Sequence, residues 1–271
     1  MQNNMLKVLD LFFPSLAAKK VHQIMSSPHS RKLKKFEEKA LASAEMVEVN
    51  FRNSIVKTYT WGGEQEKTVF LIHGWEGHAG NFGALIEILL SKGYSIVSFD
   101  APSHGKSTKR KTSMFEFSEF VSMMMSKYRP SAFISHSFGS VTSIRAMSEN
   151  LSIDIEKWLL ITTPNDFKDR VNEISDFLGV SDNTKSKLIK LLEKEGGTPF
   201  STMNMKYFGK RIPNVKDALI VHSVDDIVLS IDYARAAHKE LPMSRLIEVE
   251  KVGHFNILWS DKLKSVVEDY M

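Results

Sequence analysis

Four short segments carry side chains that could together break an acyl bond. The first is Ile134-Ser135-His136-Ser137-Phe138-Gly139-Ser140, where an apolar run passes through a serine-rich turn into a helical pattern. A serine on a sharp strand-to-helix turn has its hydroxyl pushed out at the helix's positive end, and the turn needs small residues two before and two after it. Gly139 meets that need, while Ser135 stands where the usual pattern G-x-S-x-G has glycine. The second segment is His73-Gly74-Trp75-Glu76-Gly77, directly after an apolar run. A backbone N–H from such a loop, joined by that of the residue after the serine, can point at a developing oxyanion. Trp75 and Phe138 would supply those two donors. The third holds the adjacent acids Asp225 and Asp226, and the fourth is Gly253-His254-Phe255.

A serine hydroxyl is a weak nucleophile at neutral pH and needs a neighbouring base. Ser137 is the candidate nucleophile, His254 the candidate base and Asp226 the candidate acid that orients the histidine. Asp225 and Asp166 remain competitors for the acid's role. Three of the segments also have a plainer reading. Ser135 could cap a helix, His73-Gly74 could be an ordinary strand-to-helix turn, and the aspartates could cap a helix beginning near Ser230.

These residues must be brought together by the elements that carry them. From Thr68 onward, apolar runs at 69–72, 94–99, 132–134, 158–161 and 218–221 alternate with helix-length amphipathic stretches at about 80–92, 114–128, 138–150 and 231–241. Strands buried on both faces read this way, and the alternation predicts a doubly wound, mostly parallel sheet. Two further strands at 47–50 and 55–61 precede this region. A strand at 246–249 and a helix at 255–270 close it. Residues 46–162 and 216–271 thus form an α/β core. Between them, 163–215 offers only helical pattern, at 167–178 and 187–194, and predicts a helical lid over the strand ends. Residues 1–45 predict an N-terminal helical segment of two pieces, broken near Ser26-Ser27-Pro28.

The 271 residues are 42% hydrophobic, with a net charge of +4 and no cysteine. Disulfides and thiolate chemistry are therefore excluded. The basic run Arg31-Lys32-Leu33-Lys34-Lys35 reads first as a solvated face, with contact to anionic lipid or nucleic acid as the alternative. No aromatic interleaving suggests a nucleic-acid platform, so no nucleic-acid partner is expected. The apolar stretch 8–18, interrupted by Asp10 and Pro14, is too short to span a bilayer, so no stable membrane insertion is expected. A cytoplasmic location is expected, with secretion or peripheral membrane attachment through the N-terminal segment as the alternative. No histidine pair has zinc-protease spacing, so no metal and no cofactor are expected. Trp75, His73, His136, Phe200 and Tyr207 are the candidate pocket residues, although the aromatic ones could equally belong to the core. The oligomeric state, homodimer included, is left open.

The order Ser137, Asp226, His254 resembles that of the α/β-hydrolase superfamily, over about residues 47–271. His73-Gly74 and the loop Phe99-Asp100-Ala101-Pro102-Ser103-His104-Gly105-Lys106-Ser107 add to the likeness. Ser135 and the N-terminal segment depart from the family pattern. The resemblance implies an α/β-hydrolase fold and a serine hydrolase acting on a small-molecule acyl substrate, an ester or thioester first. C–C or amide cleavage by the same residues, or a catalytically silent binding module, are the alternatives.

Overall fold

Val69, Phe70, Leu71 and Ile72 are all fully buried, and they alternate between two separate cores. Phe70 and Ile72 join one apolar cluster, Val69 and Leu71 the other, so the strand has helices on both faces. The structure that shows this is a computed structural model describing residues 2–29 and 32–271; Arg31 of the basic run lies outside the described residues. The sheet has eight strands: β1 (Glu45–Phe51), β2 (Ser54–Trp61), β3 (Lys67–Ile72), β4 (Tyr94–Asp100), β5 (Ala132–His136), β6 (Ile155–Ile161), β7 (Val215–Ser223) and β8 (Ser244–Val249). Their order is β1-β2-β4-β3-β5-β6-β7-β8. The first two form an antiparallel hairpin, β2 runs antiparallel to β4, and the pairings from β4 to β8 are parallel. The carboxyl ends of β3, β5 and β7 therefore lie along one rim. Loops at such a rim are where open α/β sheets place their sites.

Among the described residues, the N-terminal segment has three helices rather than the expected two: α1 (Gln2–Phe12), α2 (Pro14–Met25) and α3 (Lys35–Ala42). The additional break falls at Phe13, whose φ of −137° and ψ of 63° leave the helical region before Pro14 opens α2. Proline disfavours helical backbone in the residue before it and suits the first helical position. The stretch expected as one helix near 80–92 is a 3-10 turn (Ala79–Leu85) followed by α4 (Ile86–Ser91). Next come α5 (Met114–Tyr128) and α6 (Phe138–Glu149).

Between β6 and β7 lie α7 (Phe167–Leu178), α8 (Asp182–Gly196) and α9 (Met205–Gly209). The first of these stops at Gly179 in left-handed backbone, with φ of 63°. The second begins earlier than its apolar pattern suggested, because the Ser181 side chain caps it. Then follow α10 (Ile231–Glu240), α11 (Gly253–Asn256) and α12 (Asp261–Tyr270). The last is separated from α11 by a 3-10 turn at Ile257–Trp259, and Ser260 caps it, so the single closing helix expected at 255–270 is broken. No helix among the described residues is long and apolar enough to cross a membrane.

Candidate active site

Ser137 sits between the end of β5 and the start of α6 with φ of 51° and ψ of −122°. A non-glycine residue in that region costs on the order of 1–3 kcal/mol and persists only where its surroundings enforce it. Here the Ser137 N–H donates to the Ile161 carbonyl at 2.9 Å, and the Ser137 carbonyl accepts from the Ser140 N–H at 2.9 Å. The helix can pack so close to β3 only because residue 139 is glycine. A Cβ there would stand 2.3 Å from the Ile72 carbonyl oxygen and 2.6 Å from that of His73. Ser135, in the position of the usual glycine, is fully buried. Its hydroxyl accepts from the Trp158 indole N–H at 2.9 Å and bonds the Ser140 hydroxyl at 2.9 Å.

His254 stands on α11, after β8, with its side chain almost fully buried. Its Nδ1 lies 2.7 Å from Asp226 Oδ2. A carboxylate can only accept in this bond, so Nδ1 carries the proton and Nε2 is left as the basic nitrogen. The other oxygen, Asp226 Oδ1, accepts from the N–H groups of Val228 and Leu229, both at 2.8 Å. Burial alone would raise the Asp226 carboxyl. The bonds from His254, Leu229 and Val228 outweigh it and hold the group below its ordinary value.

Of the acids in competition, Asp226 is thus the one in contact with His254. Asp225 turns the other way and accepts from the Ser223 hydroxyl at 2.8 Å and the Lys251 N–H at 2.7 Å. The Ser223 hydroxyl also accepts from the Gly253 N–H at 3.0 Å. Asp225 and Ser223 therefore tie the histidine's loop to the end of β7. Asp166 caps α7 through the Lys168 N–H at 2.8 Å.

The loop after β3 approaches Ser137 closely. A Cβ on Gly74 would stand 3.1 Å from Ser137 Cβ, a gap that glycine keeps open. Phe138 is the first residue of α6, where the backbone N–H has no partner within the helix. The loop is braced from below by Asp100, a buried carboxylate that sequence reasoning did not single out. Its Oδ1 accepts from Ala79 N–H at 2.8 Å and its Oδ2 from Lys106 N–H at 2.7 Å, joining the loops after β3 and β4. Burial raises its carboxyl despite these donors.

Ser137, His254, Gly74 and Phe138 open on one cavity of about 390 Å³. Of the candidate pocket residues, Trp75 and His136 line it. His73, Phe200 and Tyr207 do not. His73 is fully buried beneath the loop, with Nδ1 2.7 Å from the Gly74 carbonyl and Nε2 accepting from the Ala101 N–H at 3.0 Å. That pair of bonds fixes a neutral imidazole, and burial, with His104 beside it, pushes its pKa well below the ordinary value. Phe200 is core, edge-on to Phe167 at 6.0 Å. Tyr207 carries the Arg211 guanidinium 3.5 Å above its ring.

The remaining wall comes from residues not foreseen. Phe115 and Val141 line it from α5 and α6, and Ile174 and Leu178 from α7. The N-terminal segment contributes Ile24, Met25 and His29. His22 on α2 lies 2.8 Å from Glu195 on α8, which fixes that segment over the cavity. His29 reaches Glu76 of the loop after β3, 3.0 Å from Nδ1 to the carboxylate. No local signal in the sequence joins residues so far apart. Among the described residues, no group of three or more His, Asp or Glu is placed to hold a metal ion.

A family model described as serine aminopeptidase, S33, matches residues 63–217. No match is found among curated proteins. Similar solved structures include an esterase of Pyrococcus furiosus, at 19% identity and a TM-score of 0.65, covering 91% of this chain and 96% of that one. A thioesterase domain from the curacin biosynthetic pathway aligns at 14% identity and a TM-score of 0.62, covering 83% and 98%. Est1E of Butyrivibrio proteoclasticus, solved with ferulic acid bound, aligns at 15% identity and a TM-score of 0.65, covering 83% and 97%. At these identities the structural likeness is one of fold.

Proposed function

The chain belongs to the serine aminopeptidase S33 family of the α/β-hydrolases, and from that premise we propose that it cleaves a carboxylic ester or thioester through an acyl-enzyme on Ser137. The observation that carries this reading is the 2.7 Å bond from His254 Nδ1 to Asp226, on the same cavity as a serine held in strained backbone. His254 Nε2 takes the Ser137 proton as the oxygen attacks the acyl carbon, then delivers it to the leaving oxygen or sulfur. Asp226 keeps the imidazole in the right tautomer and favours its charged form. The backbone N–H groups of Trp75 and Phe138 stabilise the tetrahedral oxyanion, an effect worth a few kcal/mol per donor. Water, activated by the same histidine, then releases the acid. In this reading the helices α7 to α9 form the lid, and the acyl group lies along Met25, Phe115, Val141, Ile174 and Leu178.

A fluorophosphonate probe tests the proposal directly. The expected result is stoichiometric labelling of Ser137, abolished in Ser137→Ala. Folded protein that stays unlabelled at neutral pH would make the chain a silent binding module instead. A second reading, amide cleavage by the same three residues, is favoured by the description of the matching family. Turnover of aminoacyl p-nitroanilides above that of p-nitrophenyl esters would select it.

A further inference from the structure

The N-terminal helices that wall the cavity turn a second face outward, and that face is apolar. Met5, Val8, Leu11 and Phe12 on α1, Phe13 at the break and Leu16 on α2 are all between 48% and 73% exposed. At about 100° per residue, Met5, Val8, Leu11 and Phe12 fall within an arc of about 120° on α1, next to the side from which Leu6 and Leu9 pack into the core. Soluble domains scatter exposed apolar residues singly, and six within twelve positions mark a surface that meets something apolar.

Charge indicates what that something is. Residues 1–36 contain seven lysines and arginines and a single acid, Asp10. The Asp10 carboxylate is taken up by the N–H and hydroxyl of Ser181, at 3.0 and 2.8 Å, which docks α1 on the turn between α7 and α8. Lys7 and Lys19 are exposed beside the apolar side chains. Apolar side chains flanked by unopposed lysines are the pattern of a helix that lies in a membrane interface and favours anionic lipid. Two further exposed apolar side chains stand at the cavity itself. Phe177, which lines the cavity, is 90% exposed, and Ile24 on α2, also lining, is 41% exposed.

We propose that α1 and the start of α2 dock the protein on an anionic lipid surface with the cavity's mouth toward the bilayer. Leu11, Phe12 and Phe13 enter the acyl boundary, while Lys7 and Lys19 meet phosphate headgroups. The docking needs no chemistry at Ser137, so it stands or falls independently of the proposed hydrolysis.

The test is co-sedimentation of the full chain with phosphatidylcholine vesicles, with and without about one-third phosphatidylglycerol, at 0.1 and 0.5 M salt. Binding to the anionic vesicles, weakened by salt and at least tenfold weaker to pure phosphatidylcholine, supports docking. Leu11→Ser/Phe12→Ser/Phe13→Ser should abolish it, and Lys7→Glu/Lys19→Glu should weaken it by about fivefold or more per lysine. None of these side chains lines the cavity, so turnover of a soluble ester should be unchanged in both variants, which shows that they fold. Folded wild-type protein that fails to bind anionic vesicles at 0.1 M salt overturns the proposal. So does equal binding by the triple-serine variant. A stable dimer by light scattering that the triple variant dissociates, without vesicle binding, would assign the face to a second copy of the chain.

Discussion

Replacing Ser135 by alanine should destabilise the fold by about 2–3 kcal/mol, although the residue never touches the cavity. Its hydroxyl accepts from Trp158 Nε1 and bonds Ser140 Oγ, and both Ser135 and Trp158 are fully buried. Alanine removes the acceptor and leaves an indole N–H in the interior without a partner. A buried donor left in this way costs about 1–3 kcal/mol, and the lost bond to Ser140 adds up to about 1 kcal/mol. In a chain of this size that corresponds to a melting temperature lower by about 4–5 °C. Urea denaturation of Ser135→Ala, Trp158→Phe and the double variant measures the effect. Because the phenylalanine has no N–H to orphan, the loss from Ser135→Ala should shrink by at least about 1 kcal/mol in the Trp158→Phe background. Turnover per labelled site should stay near wild type. A neutral Ser135→Ala, or losses that simply add in the double variant, would refute the claim that this serine stands in for glycine by accepting from Trp158.

The remaining predictions concern the site and acid stability. His254→Ala should lower ester turnover by about a thousandfold or more with circular dichroism unchanged; a drop of only a few-fold would remove it from the base's role. Asp226→Asn should cost far more in kcat than Asp225→Asn, because Asp225 reaches His254 only through the Lys251 backbone and Ser223; the opposite ranking would exchange the two. Acid should unfold the protein early. Burial pushes His104 from 6.5 down to about 4, and it also lowers His73 and His222. The unfolded chain takes up these protons below about pH 6.5 while the native state refuses them, so stability is full above that pH and falls through the window below it. His104 alone contributes a loss of roughly 3 kcal/mol by pH 4. Urea midpoints between pH 7 and 4.5 should show the decline, and His104→Gln should make it shallower; a flat profile would show that these imidazoles are not held neutral.

The parts of this molecule that were legible in the sequence are those where one local rule decides the outcome. Val69 to Ile72 read as a buried strand because both of its faces are covered, which leaves no polar position in the run. The order of Ser137, Asp226 and His254 was legible because loops at one end of a parallel sheet converge whatever separates them in sequence. Neighbouring residues were harder to sort. Asp225 and Asp226 differ only in which side of one turn they face: Asp226 accepts locally from Val228 and Leu229, while its bond to His254 and that of Asp225 to Lys251 form only once the loops have met. The cavity wall was least legible. An amphipathic pattern states which side of a helix is buried but not what it is buried against. Phe200 and Phe115 look alike in the sequence and are buried in one core cluster, yet only Phe115 lines the cavity, while Phe200 packs edge-on against Phe167. That space is what remains after α2, α7 and α8 have docked through pairs such as His22–Glu195 and Asp10–Ser181, each separated by more than 170 positions. If Ser137, His254 and Asp226 act as proposed, the chemistry of the site is therefore encoded locally, in four short segments. Its selectivity is encoded in how helices far apart in the chain meet, so changing substrate preference calls for substitutions on α2 and α7 rather than near Ser137.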